Sequence, residues 1–137
     1  MPTVSPEIEA FFEEFERAGN VLDLKSIEAQ YAPFFLSADP NGTQPVPRDA
    51  FLAALPKRRE MFASVGGTVS HLTGIRETRL DANYVLVDTD WVMSVGTGGE
   101  DIDLSSMFML RNEGGDLRIV LYLNHQDVAA LIAARTG

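Results

Sequence analysis

Cysteine is absent from the 137 residues, which removes disulfides, a thiolate nucleophile and any cysteine-held metal from consideration. Basic residues are scarce: 11 Lys and Arg face 20 Asp and Glu, a formal charge of −9. A surface of that sign repels phosphate backbones, so neither nucleic acid nor an anionic membrane is expected as a partner. The acids are spread along the chain rather than gathered in a tail. No apolar run approaches the ~18 residues that span a bilayer. Met1 to Ala10 has no basic start and no apolar stretch, since it carries Glu7 and Glu9, so the expected compartment is the cytoplasm. The two histidines, His71 and His125, lack a third ligand at metal spacing. No metal and no cofactor is expected.

What is present describes an ordinary globular chain. The hydrophobic fraction of 45% and charged fraction of 23% suit one domain spanning residues 1–137, with no repeat or linker inside it. Helical signals fill the first half. Ser5 is a good N-cap, Pro6 suits the first helical position, and Glu7 and Glu9 complement the dipole. Ile8, Phe11, Phe12 and Phe15 then form one apolar stripe, which Gly19 is expected to end. Asp23 caps a second helix whose Leu24, Ile27 and Tyr31 share a face. Pro33 stops it, and Phe34 to Ala38 reads as a short strand closing on the turn Asp39-Pro40-Asn41-Gly42. A third helix is expected from about Arg48 to Val65, kinked or divided at Pro56.

Four strands follow: Thr68 to Leu80, Tyr84 to Val95, Asp103 to Arg111 and Leu117 to Leu123, with a turn at Gly96-Thr97-Gly98-Gly99. Asp127 then caps a short C-terminal helix. Hairpin-length connections imply antiparallel neighbours. The expected class is α+β, three N-terminal helices packed on a curved antiparallel sheet with a short C-terminal helix. Val85, Val87, Thr89, Trp91, Met93 and Val95 share one face, opposite Asp88, Asp90 and Ser94. In the last two strands both faces are substantially apolar, and helices cover only one. A homodimer is expected there, through Phe108, Leu110, Val120 and Tyr122.

The stretch containing Asp23, Leu24, Ile27, Tyr31, Ala32, Asp39 and Pro40 resembles the ketosteroid isomerase branch of the NTF2-like superfamily. The order of helices and strands extends that resemblance over nearly the whole chain. It implies a sheet curled into a cone around an apolar pocket, with an Asp at the end of the first strand shuttling a proton. Asp39 matches that position. The family's oxyanion-holding Tyr falls on Phe15, and its protonated Asp falls at or beside Met107. Neither side chain donates a hydrogen bond, and losing one such donor costs ~10²–10³ in rate. Steroid isomerisation is therefore not expected. The SnoaL-like cyclases of the same superfamily also place acid–base side chains in the cone.

Residue by residue, two readings stand for most candidates. Asp39 is either a general base in an apolar mouth or the first residue of a turn, and the turn chemistry favours the second. His71 and His125 are either acid–base groups or ordinary strand and capping histidines. Trp91 and Met93 are expected to face the cone interior with His71 or Tyr31 nearby, stacking on a flat ligand or packing the core. Lys57, Arg58 and Arg59 read as a solvated face, and the glycine-rich turn lacks the Lys and following helix of a phosphate loop. The leading expectation is a cavity for a small apolar or aromatic molecule, lined by Phe15, Tyr31, His71, Trp91, Met93 and Met107. The alternatives are an acid–base enzyme of the isomerase, cyclase or dehydratase kind using Asp39 or His125, and a structural dimerisation domain with a filled cone.

Overall fold

A computed structural model describes residues 4–95 and 99–136. Helix α1, Pro6–Val21, buries Ile8, Phe12 and Ala18 on the stripe the sequence predicts. Ser5 stands at the N-cap but makes no capping bond. Its backbone N–H and hydroxyl both donate to Glu77 Oε1, at 2.9 and 2.7 Å, which fastens the start of α1 to a distant strand. The helix runs past Gly19, because Leu22 takes the left-handed conformation (φ 54°) and its N–H closes on the carbonyls of Ala18 and Gly19.

Helix α2, Leu24–Gln30, is capped as expected, with Asp23 accepting from the N–H and hydroxyl of Ser26. Arg17 also donates to Asp23, and that bond holds its carboxyl down at about 2. Tyr31 departs from the helical expectation. It opens strand β1, Tyr31–Asp39, since Ala32 precedes proline and is steered away from helical backbone. Strand β2, Gly42–Pro47, escapes the sequence reading because Pro45 and Pro47 argue against a strand. It lies at the sheet edge, where missing N–H groups are tolerated. The hairpin between β1 and β2 pairs Asp39 with Gly42, whose φ of 146° suits glycine. Helix α3, Arg48–Ala63, continues through Pro56 as one element rather than dividing there. Its Phe51, Leu52 and Leu55 pack on the core.

Strands β3 (Gly67–Arg79), β4 (Tyr84–Val95), β5 (Ile102–Glu113) and β6 (Asp116–Asn124) precede helix α4, Val128–Thr136. The turn expected at Gly96-Thr97-Gly98 lies outside the described residues. The sheet order is β2-β1-β6-β5-β4-β3. The curved sheet is mixed rather than antiparallel, because β1 runs parallel to β6 while every other pair is antiparallel. Short hairpins set only chain-adjacent strands, and β1 reaches β6 from the other end of the chain.

Alternation along β4 holds throughout, with Val85, Val87, Thr89, Trp91, Met93 and Val95 buried. On β5 the inward set is Ile102, Ser106, Phe108 and Leu110. On β6 the pairing slips. Leu110 faces Ile119 and Met109 faces Leu121, so Val120 is bulged out of register. The inward set therefore changes from Leu117 and Ile119 to Tyr122, which packs on the core cluster. This corrects the expected dimer face. Phe108 and Leu110 are fully buried, and the outward rung runs Leu86, Met109, Leu121 and Leu36 from β4 to β1.

Phe12 is fully buried and its ring meets Phe11, Phe15 and Phe108. Truncating it leaves a cavity between helix and sheet. Phe12→Ala is expected to lower unfolding free energy by about 3–5 kcal/mol, measured by urea denaturation.

Candidate functional site

Helices α1 and α3 cover the concave side of the sheet without filling it. A cavity of about 440 Å³ remains between them and strands β3 to β6. Aromatic rings build its walls. Phe15 lies 5.6 Å from Trp91 and 5.2 Å from Phe108 between ring centres, Tyr122 packs 4.6 Å from Phe108, and Tyr31 packs 4.8 Å from Phe51. Met93, Leu104, Phe62, Leu55 and Ile27 add to the apolar lining. Gly19, Arg59 and Thr68 are exposed lining residues and mark the mouth. There Asn20 bridges α1 to β3, donating to the Ser70 carbonyl and accepting its N–H, each at 2.9 Å.

The polar groups inside are few. Buried Ser106 donates to Asn124 Oδ1 at 2.9 Å, while the Asn124 NH2 has no partner among the described residues. Trp91 donates its indole N–H to Thr89 at 2.8 Å, which in turn donates to the Ser106 carbonyl. Tyr31 is almost wholly buried. Burial pushes its phenol well above the usual range, so the hydroxyl stays neutral. Half-buried Arg58 reaches this wall from α3. Its guanidinium lies 5.8 Å from the Phe62 ring centre, in a lining that also includes Tyr122.

The expected site residues separate into two groups. Phe15, Tyr31, Trp91 and Met93 all line the cavity. His71, Met107, Asp39 and His125 do not. Strand alternation explains two of them: Met107 lies between the inward Ser106 and Phe108, and His71 lies between Ser70 and Leu72. The imidazole of His71 is 57% exposed and sits 3.5 Å from Glu16. Asp39 is exposed and accepts the Asn41 N–H at 2.8 Å, an Asx turn. His125 is exposed beyond β6, its backbone N–H bonded to the Ser105 carbonyl.

Arg58 is the residue that the reading of Lys57-Arg58-Arg59 as a solvated face passed over. Its signal was present. Phe51, Leu55, Arg58 and Phe62 fall at i, i+4, i+7 and i+11, so one cation stands on the apolar stripe of α3. Ser106 and Asn124 carried no comparable signal.

No family model and no curated protein matches the chain. Solved structures do. An NTF2-like protein of unknown function from Pseudomonas putida superposes with a TM-score of 0.72 at 17% identity, covering 87% of this chain and 83% of that one. Another from Shewanella oneidensis gives 0.70 at 15% identity, over 87% and 96% of the two chains. An NTF2-like protein from Novosphingobium aromaticivorans gives 0.70 at 16%, over 96% and 87%. The fold is NTF2-like, and identities this low carry the likeness no further than fold.

Because Asp39 serves its turn through one side-chain oxygen, an amide serves as well. Asp39→Asn is expected to leave the midpoint of denaturant unfolding unchanged, whereas Asp39→Ala lowers it.

Proposed function

We propose that this NTF2-like domain binds a small apolar or aromatic molecule in the cavity between α1, α3 and the sheet. The observation that carries this reading is the cavity itself, about 440 Å³ walled by Phe15, Tyr31, Phe51, Phe62, Trp91 and Tyr122. That volume is in the range of about 300–1,000 Å³ that small-molecule sites occupy. Flat rings around it favour a flat ligand, since offset stacking and edge contacts add to area burial. The open volume disfavours a purely structural domain with a filled cone.

The acid–base reading has weaker support. Asp39 and His125, its intended bases, stand outside the cavity, and a base must come within hydrogen-bond reach of the proton it takes. Among the described lining residues the one carboxylate is Glu16, already accepting from the Leu72 N–H at 2.9 Å.

The second part of the proposal concerns the outer face. The rung Leu86, Met109, Leu121 and Leu36 lies on the side away from α1 and α3, and Leu36 is 43% exposed. A contiguous apolar strip on a sheet face suits a self-complementary contact with a second copy of the chain.

Trp91 is the sole tryptophan, so its emission reports on the cavity alone. Flat aromatic compounds are expected to quench or shift that emission saturably. No response across a varied aromatic library removes the binding reading. For the outer face, sedimentation is expected to give twice the mass of one chain at micromolar concentration. Met109→Glu with Leu121→Glu is expected to give a folded monomer, and a natural protein that sediments as a monomer refutes the dimer.

A further inference from the structure

Among the described residues, five arginines of this acidic chain pair with carboxylates. Arg17 meets Glu14 and Asp23, Arg76 meets Asp90, Arg79 meets Glu7 and Glu77, and Arg111 and Arg118 share Glu113. Arg59, beside the cavity mouth, donates to the Asn20 carbonyl at 3.2 Å. Arg58 is not one of these five. It lines the cavity, yet among the described residues no carboxylate pairs with it, in a protein with 20 acidic residues. The face of Phe62 lies 5.8 Å from its guanidinium, and the phenols of Tyr31 and Tyr122 line the same cavity.

Those neighbours are neutral. A ring face and a phenol oxygen offset only part of the cost of drawing a guanidinium out of water. Removing an acid from such a place is costly when the charge remains, so an arginine held there without one is suited to a counter-charge that arrives from outside. The fork of a guanidinium matches a planar carboxylate through two parallel bonds. Arg59 is exposed at the mouth and already donates to the Asn20 carbonyl, so Arg58 is the inner cation, and it matches one negative charge.

We propose that the ligand is a small aromatic or branched apolar carboxylic acid, its carboxylate paired with Arg58 and its apolar body lying among Phe15, Trp91 and Met93. This rests on the reading that the cavity binds a small molecule, and it adds the ligand's charge and its orientation. The Tyr122 hydroxyl, in the same lining, donates to the same carboxylate. Arg58 then sets which end of the ligand enters first.

The test compares shapes that differ only in charge. Phenylacetate and naphthalene-2-carboxylate are titrated against the natural protein beside their primary amides, followed by Trp91 emission and calorimetry. Each acid is expected to bind about ten- to a hundredfold more tightly than its amide, the worth of a charge-assisted bond. Arg58→Met is expected to remove that preference while leaving amide affinity in place, and Arg58→Lys to restore part of it. Acids and amides that bind equally to the natural protein overturn the carboxylate inference and leave the cavity reading standing. Failure of every acid and every amide overturns both. Because the acid-to-amide ratio is read on the natural protein, the result does not depend on the variants folding.

Discussion

Phe108 meets Phe12 and Phe15 of α1 at 5.2 Å between ring centres, and Tyr122 of β6 at 4.6 Å. Through this one side chain the first helix is held to the middle of the sheet. Phe15 carries the contact on to Trp91, so core and cavity wall share the same rings. The apolar area these rings remove from water is the main source of stability at the helix–sheet interface. It also fixes how near α1 approaches β4, and hence how wide the space beside Trp91 can be.

The space persists because the side chains that border it elsewhere are small. Gly19 and Gly67 lie at its margin and Ser106 at its inner wall. A Cβ added at Gly67 would meet the Phe62 carbonyl oxygen at 2.8 Å and Met93 Sδ at 2.9 Å, so α3 and β3 approach as closely as backbone allows. Polar atoms at the inner wall are mostly satisfied by one another, in the chain from Trp91 through Thr89 to the Ser106 carbonyl. Arg58 brings to this wall a charge that no carboxylate among the described residues pairs.

A single extra residue in β6 separates the two faces of the sheet. With Val120 bulged, Ile119 and Tyr122 both point to the helices, while Leu121 pairs beside Met109 on the far side. Without the bulge Tyr122 would lie on the outer face, away from the cavity that it and Arg58 both line. The bulge thus links the composition of the cavity to the composition of the outer apolar rung.

Local pattern determined much of this protein. The stripe of Ile8 and Phe12, the cap at Asp23 and the alternation from Val85 to Val95 are consequences of helix and strand periods, which act between near neighbours in the chain. They sufficed for the α+β class and for placing Phe15, Tyr31, Trp91 and Met93 at an interior surface. Even Arg58 on its stripe was legible in spacing. Other features depend on residues far apart in sequence: the parallel union of β1 with β6, the edge position that lets Pro45 and Pro47 sit in a strand, the slip at Val120, and the absence, among the described residues, of a carboxylate paired with Arg58. Periodicity tells which residues share a face, but a bulge resets that assignment and a charge is unpaired only once every distant element has taken its place. Tertiary structure decided these, because each is a property of what arrives from elsewhere in the chain.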